Sequence, residues 1–218
     1  MVLTEYASGT QQQLWLPAVA SGESLLTVAF SEAMSSSDLT PHSMQATPAE
    51  HGYTLTGTKH YVPYAQHADG IIVSAKLSDN ENILVMIEPS QAGVSFSAEN
   101  TTTAEPQSAL NLSAVNVPSS QVIAQGSAAN DAIQYGVNCL ITAYCAVQTG
   151  ASDAALRMTA KYTSERKQFN TVIASFQAVA QRAADGYIDV ECLRLCSQQA
   201  ACLLSDKPVG LDSQRAIN

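Results

Sequence analysis

From Ser127 to Asp206 the chain contains no proline. Proline inside a helix removes a backbone hydrogen bond and clashes with the preceding turn, so an uninterrupted stretch of this length permits long helices. The apolar residues in it keep helical time. Phe176, Val179, Ala183, Tyr187, Val190 and Leu193 recur three or four apart and are expected to share one core-facing stripe. The pattern predicts one helix over about residues 130–166 and a second over about 175–204, joined by a loop at 167–174. Pro208 ends the second, and a third helix is expected to start near Leu211. Two antiparallel helices leave apolar surface uncovered, so this pair needs further helices or a partner chain.

The preceding hundred residues read differently. Six of the eight prolines fall between residues 27 and 126: Pro41, Pro48, Pro63, Pro89, Pro106 and Pro118. Short apolar runs start at Tyr53, Ile71, Ile83, Val94 and Leu110, and the last shows period-two alternation. Turn residues at Gly52, Gly57, Gly70, 80–82 and Gly93 separate them. The expected fold class is α+β: an antiparallel β-barrel domain followed by a long antiparallel helical hairpin. The expected domains are 1–26, the remnant of a helical domain; 27–126, the barrel; and 127–218, a partial helical domain. Residues 11–23 are read as a helix end, then a turn at Pro17, then a glycine turn at Gly22.

Composition excludes several function classes. Ten Lys and Arg face nineteen Asp and Glu, a net charge of −9. A nucleic-acid binder needs a basic stripe for phosphates, and none is present. The longest apolar runs fall far short of the roughly 20 residues that span a bilayer. The first residues carry neither a basic nor an apolar leader segment. Five cysteines, Cys139, Cys145, Cys192, Cys196 and Cys202, form no CxxC. They read as reduced thiols of a cytoplasmic protein, with Cys192 and Cys196 expected to be buried packing groups.

Isolated polar residues carry little chemistry by themselves. Glu32 and Asp38 are expected to serve loop hydrogen bonds rather than acid–base catalysis. His60 and His67, with Asp69 nearby, do not make the convergent set that a metal needs and are read as surface histidines. Serines 35–37 lack the Gly-x-Ser-x-Gly frame of a nucleophile elbow.

Three longer segments carry more. The first is Gln13-Leu-Trp-Leu-Pro-Ala-Val-Ala-Ser-Gly-Glu, running on to Ala29-Phe-Ser-Glu-Ala-Met-Ser-Ser-Ser-Asp-Leu. The second is Gly52-Tyr-Thr-Leu-Thr-Gly-Thr-Lys-His-Tyr-Val-Pro-Tyr-Ala with Ala68-Asp-Gly. The third is Tyr162-Thr-Ser-Glu-Arg-Lys-Gln-Phe-Asn-Thr-Val-Ile-Ala-Ser-Phe-Gln. In this order and spacing the chain resembles the acyl-CoA dehydrogenase family, from late in the N-terminal helical domain to partway through the C-terminal bundle.

The resemblance implies FAD as cofactor, an acyl-CoA substrate and a homo- or hetero-oligomer. In that family a carboxylate removes the α-proton of the thioester while a hydride passes to the flavin. By the same resemblance Phe30 and Ser31 face the isoalloxazine edge, and Ser36 and Ser37 lie beside flavin and thioester. Tyr61 and Pro63 match the stretch over the flavin. Arg166, Phe169 and Gln177 match positions that hold the pyrophosphate and adenine end, often in a neighbouring subunit. An arginine fork suits a diphosphate. The segment that carries the family's catalytic Glu has no counterpart in this sequence, so no residue is assigned as the base. Five positions depart from the pattern. Pro63 replaces a Thr or Ser, Met34 and Ser36 replace small or glycine positions, Asn170 replaces a glycine, a mild change because Asn tolerates left-handed backbone, and Ile141 replaces an arginine. The implied function is FAD-dependent α,β-dehydrogenation of an acyl-CoA. The alternatives are a non-catalytic accessory subunit or degenerate paralogue assembling with a longer chain, and a flavin-dependent monooxygenase on the same fold.

Overall fold

A computed structural model of the chain describes residues 1–34, 39–79 and 81–206. The architecture is α+β, in two compact units, 1–137 and 138–218.

The first unit opens with two helices, α1 (Val2–Tyr6) and α2 (Gly9–Ser21). Ser8 and Gln11 cap α2 reciprocally: each side chain accepts a hydrogen bond from the other residue's backbone N–H. The Gln11 carboxamide also donates to the carbonyls of Ser120 and Val122, both at 2.9 Å, which fixes the helix to the sheet. The turn expected at Pro17 is not there. Pro17 stands inside α2, which runs on to Ser21 and ends at Gly22 with φ +78. One missing N–H bond is tolerated where the fold fixes the flanking turns.

Eight strands form one sheet: β1 (Leu26–Ala29), β2 (Gln45–Ala49), β3 (Gly52–Pro63), β4 (Gly70–Ser78), β5 (Glu81–Ile87), β6 (Val94–Glu99), β7 (Gln107–Pro118) and β8 (Val122–Gln125). Their order is β6-β7-β3-β2-β4-β5-β8, and β1 adds to β4. The sheet is mixed rather than purely antiparallel. β1 pairs with β4 in parallel, from Leu26 opposite Gly70 to Ala29 opposite Val73, and Gln45 bridges Lys76 in parallel. Among the described residues no pairing joins β6 to β8. β1, β2 and β8 were not expected; each is only four or five residues long and β2 holds a proline.

The core is aliphatic. Leu55, Ile71, Val73, Ile83, Leu110 and Val115 are fully buried in one cluster. β4 is buried on both faces over its first six residues, which is why Ile71-Ile-Val reads as a continuous apolar run rather than an alternating one.

The second unit is helical. α3 (Ser127–Glu165) enters it from the first, and α4 (Gln177–Asp206) follows. The expected loop between them contains a small hairpin, β9 (Lys167–Gln168) and β10 (Thr171–Val172), and a short 3-10 turn at Ile173–Ser175. Within the unit, Asp153 of α3 binds Arg194 of α4 at 3.2 Å and Arg157 at 2.7 Å. A Cβ on Gly186 would meet the Leu156 side chain at 3.5 Å, an ordinary contact. Val190, Ser197, Ala200 and Leu204 are the buried face of α4. Tyr187, expected on that stripe, is 59% exposed. The residue before it, Gly186, takes the inward position instead. Cys192 and Cys196 are exposed, not buried as expected, because they too lie off the inward face. Tyr144, Val147, Met158, Ile188 and Leu195 are also exposed. The helix proposed at Leu211 lies outside the described residues.

Gly52 starts β3 with φ +155, and a Cβ there would overlap the Val117 carbonyl oxygen and stand 2.9 Å from Pro118 Cα. We expect Gly52→Ala to force β3 from β7 and cost about 1–3 kcal/mol in urea unfolding. An unchanged midpoint would contradict this strand contact.

Candidate functional site

In the first unit the candidate residues gather around the end of β1 and the end of β3. They are organised by a charge pair inside the protein. The Lys59 and Glu32 side chains are fully buried, with Nζ and Oε1 2.7 Å apart. Lys59 sits at an inward position of β3. Its ammonium also donates to the Phe30 carbonyl at 3.1 Å and to Ser74 Oγ at 3.0 Å, so all three protons are used. Glu32 accepts from the backbone N–H groups of His42, Ser43 and Met44 and from the Ser43 hydroxyl. It thereby ties the end of the β1 segment to residues 42–44.

Both groups titrate away from their ordinary values. Burial pushes Lys59 down to about 8 against the pull of Glu32. Burial raises the Glu32 carboxyl, but the bonds from Lys59 and Ser43 and the charge of Lys59 outweigh it and hold the group at about 2.

The loop expected to face a flavin starts here. The Phe30 ring is buried, and a Cβ on Gly136 of α3 would stand 2.7 Å from its Cε2. The ring is therefore pinned by a glycine-sized gap. The Ser31 carbonyl accepts the His60 N–H at 2.8 Å, while its hydroxyl has no partner among the described residues. Met34 adopts φ +63 and is 98% exposed. This is the left-handed backbone for which the family's small residue is suited, and the methionine side chain leaves the loop for solvent. Ser36 and Ser37 lie outside the described residues.

Opposite, β3 carries a bulge. Lys59 pairs with Leu110 and Val62 with Ser108, so His60 and Tyr61 together face the single residue Ala109. Tyr61 has φ +55, and its ring is half-exposed. Glu99, at the end of β6, accepts the Tyr61 N–H at 2.6 Å and the His60 Nδ1–H at 2.8 Å. The Pro63 carbonyl accepts the Thr27 hydroxyl at 2.7 Å, and Pro63 has no N–H to offer a ligand.

In the second unit Arg166 follows the last turn of α3. Its N–H donates to the Tyr162 carbonyl, and its carbonyl accepts from Ile173, both at 2.9 Å. The guanidinium is exposed and has no protein partner among the described residues, unlike Arg157 and Arg194. Phe169 and Asn170, at φ +51 and +62, form the two-residue turn of the β9–β10 hairpin. Positive φ at both places is the type I′ geometry, and Asn170 suits it as expected. The Phe169 ring is 90% exposed and meets Phe176 edge-on at 6.4 Å. Gln177 opens α4, exposed, and its carboxamide has no partner among the described residues.

Lys59 and Glu99 escaped the sequence reading. Lys59 carried a signal. It falls two and four residues from Gly57 and Leu55 on the inward face of β3, where a charge requires a buried partner. Glu99 carried none. Among the described residues no His, Cys, Asp and Glu group gathers to hold a metal, and no helix is long and apolar enough to cross a membrane.

The acid limb tests the pair. Glu32 is at about 2 in the fold and 4.5 when unfolded, so its contribution is complete above pH 4.5 and lost as pH falls toward 2. We expect Lys59→Met to cost about 3–5 kcal/mol at pH 7. The gap from wild type should narrow toward pH 3, where Glu32 of the variant is neutral. A pH-independent gap in urea unfolding contradicts the pair.

Comparison with known proteins identifies the family. Residues 132–216 match the model of the acyl-CoA dehydrogenase C-terminal domain. Acyl-CoA dehydrogenase FadE27 of Mycobacterium tuberculosis is 35% identical over 91% of this chain and 51% of its own length. The ChsE4-ChsE5 complex from the same species aligns at TM-score 0.86 and 33% identity, over 99% of this chain and 57% of the matched one. A glutaryl-coenzyme A dehydrogenase in its glutaryl-CoA complex aligns at TM-score 0.85 and 27% identity, over 92% and 52%. The chain spans about half the length of the curated relatives it matches. By sequence and by fold it belongs to the acyl-CoA dehydrogenase family.

Proposed function

We propose that this chain takes part in FAD-dependent α,β-dehydrogenation of an acyl-CoA thioester. The observation that carries the reading is the exposed Arg166 guanidinium at the end of α3, followed by the exposed Phe169 ring and the Gln177 carboxamide, with neither polar group partnered among the described residues. These residues fit a dinucleotide. A fork of parallel N–H donors suits a diphosphate, a flat exposed ring suits an adenine, and a carboxamide both donates and accepts. All three fall within the segment that matches the family's C-terminal domain.

The first unit supplies groups of a second kind. The Ser31 hydroxyl, without a partner among the described residues, can donate to a ring carbonyl, and Tyr61 presents a half-exposed aromatic edge. FAD, when bound, supplies the hydride acceptor. Each unit has its own part: in the first, Ser31 and Tyr61 would fix a ring system beside Pro63 at the end of β3, and in the second, Arg166 would neutralise diphosphate charge, which the family resemblance often assigns to the cofactor of a neighbouring subunit. The α-proton is assigned to no side chain among the described residues. An acyl-CoA substrate has support from the glutaryl-CoA complex of one relative, and assembly with a second protein from the paired names of another.

One observation favours a second reading, an accessory subunit. Pro63 offers neither N–H nor hydroxyl where the family has a hydroxyl residue, and its carbonyl is tied to Thr27. That reading expects a stable complex with a longer chain and no FAD of its own.

We expect Arg166→Ala to weaken FAD binding about tenfold or more in titrations followed by flavin fluorescence, with Arg166→Lys in between because a lysine cannot make the bidentate contact. Equal affinity in all three proteins would overturn the dinucleotide assignment.

A further inference from the structure

We propose that Glu99 is a positioning residue that holds the Tyr61 ring on the ligand-facing side of the bulge in β3; this inference rests on the flavin reading above. The ladder between β3 and β7 skips His60 and Tyr61, so the Tyr61 N–H has no partner on the facing strand. Tyr61 also occupies the left-handed region at φ +55, where an L-residue's Cβ crowds its own carbonyl. An unpaired donor and an unfavourable backbone at one residue persist only where surrounding structure imposes them. Glu99 imposes them here. One carboxylate oxygen takes the Tyr61 N–H at 2.6 Å and the other takes the His60 Nδ1–H at 2.8 Å. Its side chain is 18% exposed, so these charge-assisted bonds are partly shielded from water.

The result is a change of direction in the strand. Lys59 and Val62, on either side of the bulge, point into the core and are 0% and 1% exposed. Tyr61 between them is 56% exposed, its ring 6.0 Å from that of His60. Bulges beside functional sites re-aim a side chain in this way. Glu99 comes from a different strand, β6, so it fixes the bulge from outside β3.

The test is FAD titration into the purified protein, as wild type, Glu99→Ala, Glu99→Gln, Tyr61→Leu and the Glu99→Ala/Tyr61→Leu double variant. We expect Glu99→Ala to weaken binding about tenfold, the scale of one lost hydrogen bond. Glu99→Gln, which keeps one carbonyl oxygen for the Tyr61 N–H, should recover most of that. The double variant should bind as Tyr61→Leu alone does, because Glu99 acts through Tyr61. Unchanged affinity in Glu99→Ala, or the same further loss on the Tyr61→Leu background, overturns the proposal. If the wild type binds no FAD, the flavin reading fails and the clamp is judged on urea midpoints. Glu99→Ala should then lower the midpoint less beside Tyr61→Gly than in the wild type, since glycine adopts φ +55 freely. Equal losses overturn it.

Discussion

The Lys59–Glu32 pair is the constraint from which the first unit's candidate site follows. A charge pair with no solvent contact loses the hydration of both ions, and their attraction compensates only when every remaining donor and acceptor is satisfied. Here that condition is met on both sides. Lys59 holds the end of β1 through the Phe30 carbonyl and reaches β4 through Ser74. Glu32 gathers the N–H groups of residues 42–44. An apolar pair of similar volume would fill the space, but it would leave those backbone donors without an acceptor. The pair therefore sets where the Ser31 segment begins and where the chain returns, and the bulge at His60 and Tyr61 follows immediately in β3.

Tyr61 and Phe169 are both presented from left-handed backbone, by unrelated devices. Tyr61 is turned out of a strand at a bulge with an external carboxylate to hold it. Phe169 is turned out at a type I′ turn whose second place is taken by Asn170. The first is imposed by tertiary contact and the second by local sequence. Residues held in sparsely populated backbone regions concentrate at functional sites.

The difference also explains how much was legible beforehand. The long helices were readable because proline is absent and the apolar period is helical, and both features are local. Asn170 was readable because its own side chain tolerates positive φ. Pro17 misled because α2 runs through it and stops instead at the left-handed Gly22. β1 and β2 were missed because they are held by neighbours rather than by a strong alternating pattern. Tyr187 was placed on the buried stripe by spacing alone, whereas Gly186 takes that place against Leu156. Lys59 was half-legible, through its inward parity. Glu99 was not legible at all, since its partners lie 38 and 39 residues away.

The account turns on whether these groups hold a flavin. The direct measurement is the visible absorption spectrum of the purified protein after FAD has been supplied and the excess removed. The account predicts a retained flavin spectrum, shifted from that of free FAD by the environment of Ser31 and Tyr61. A folded protein that emerges colourless would contradict it and leave the chain as a scaffold that assembles without binding the cofactor.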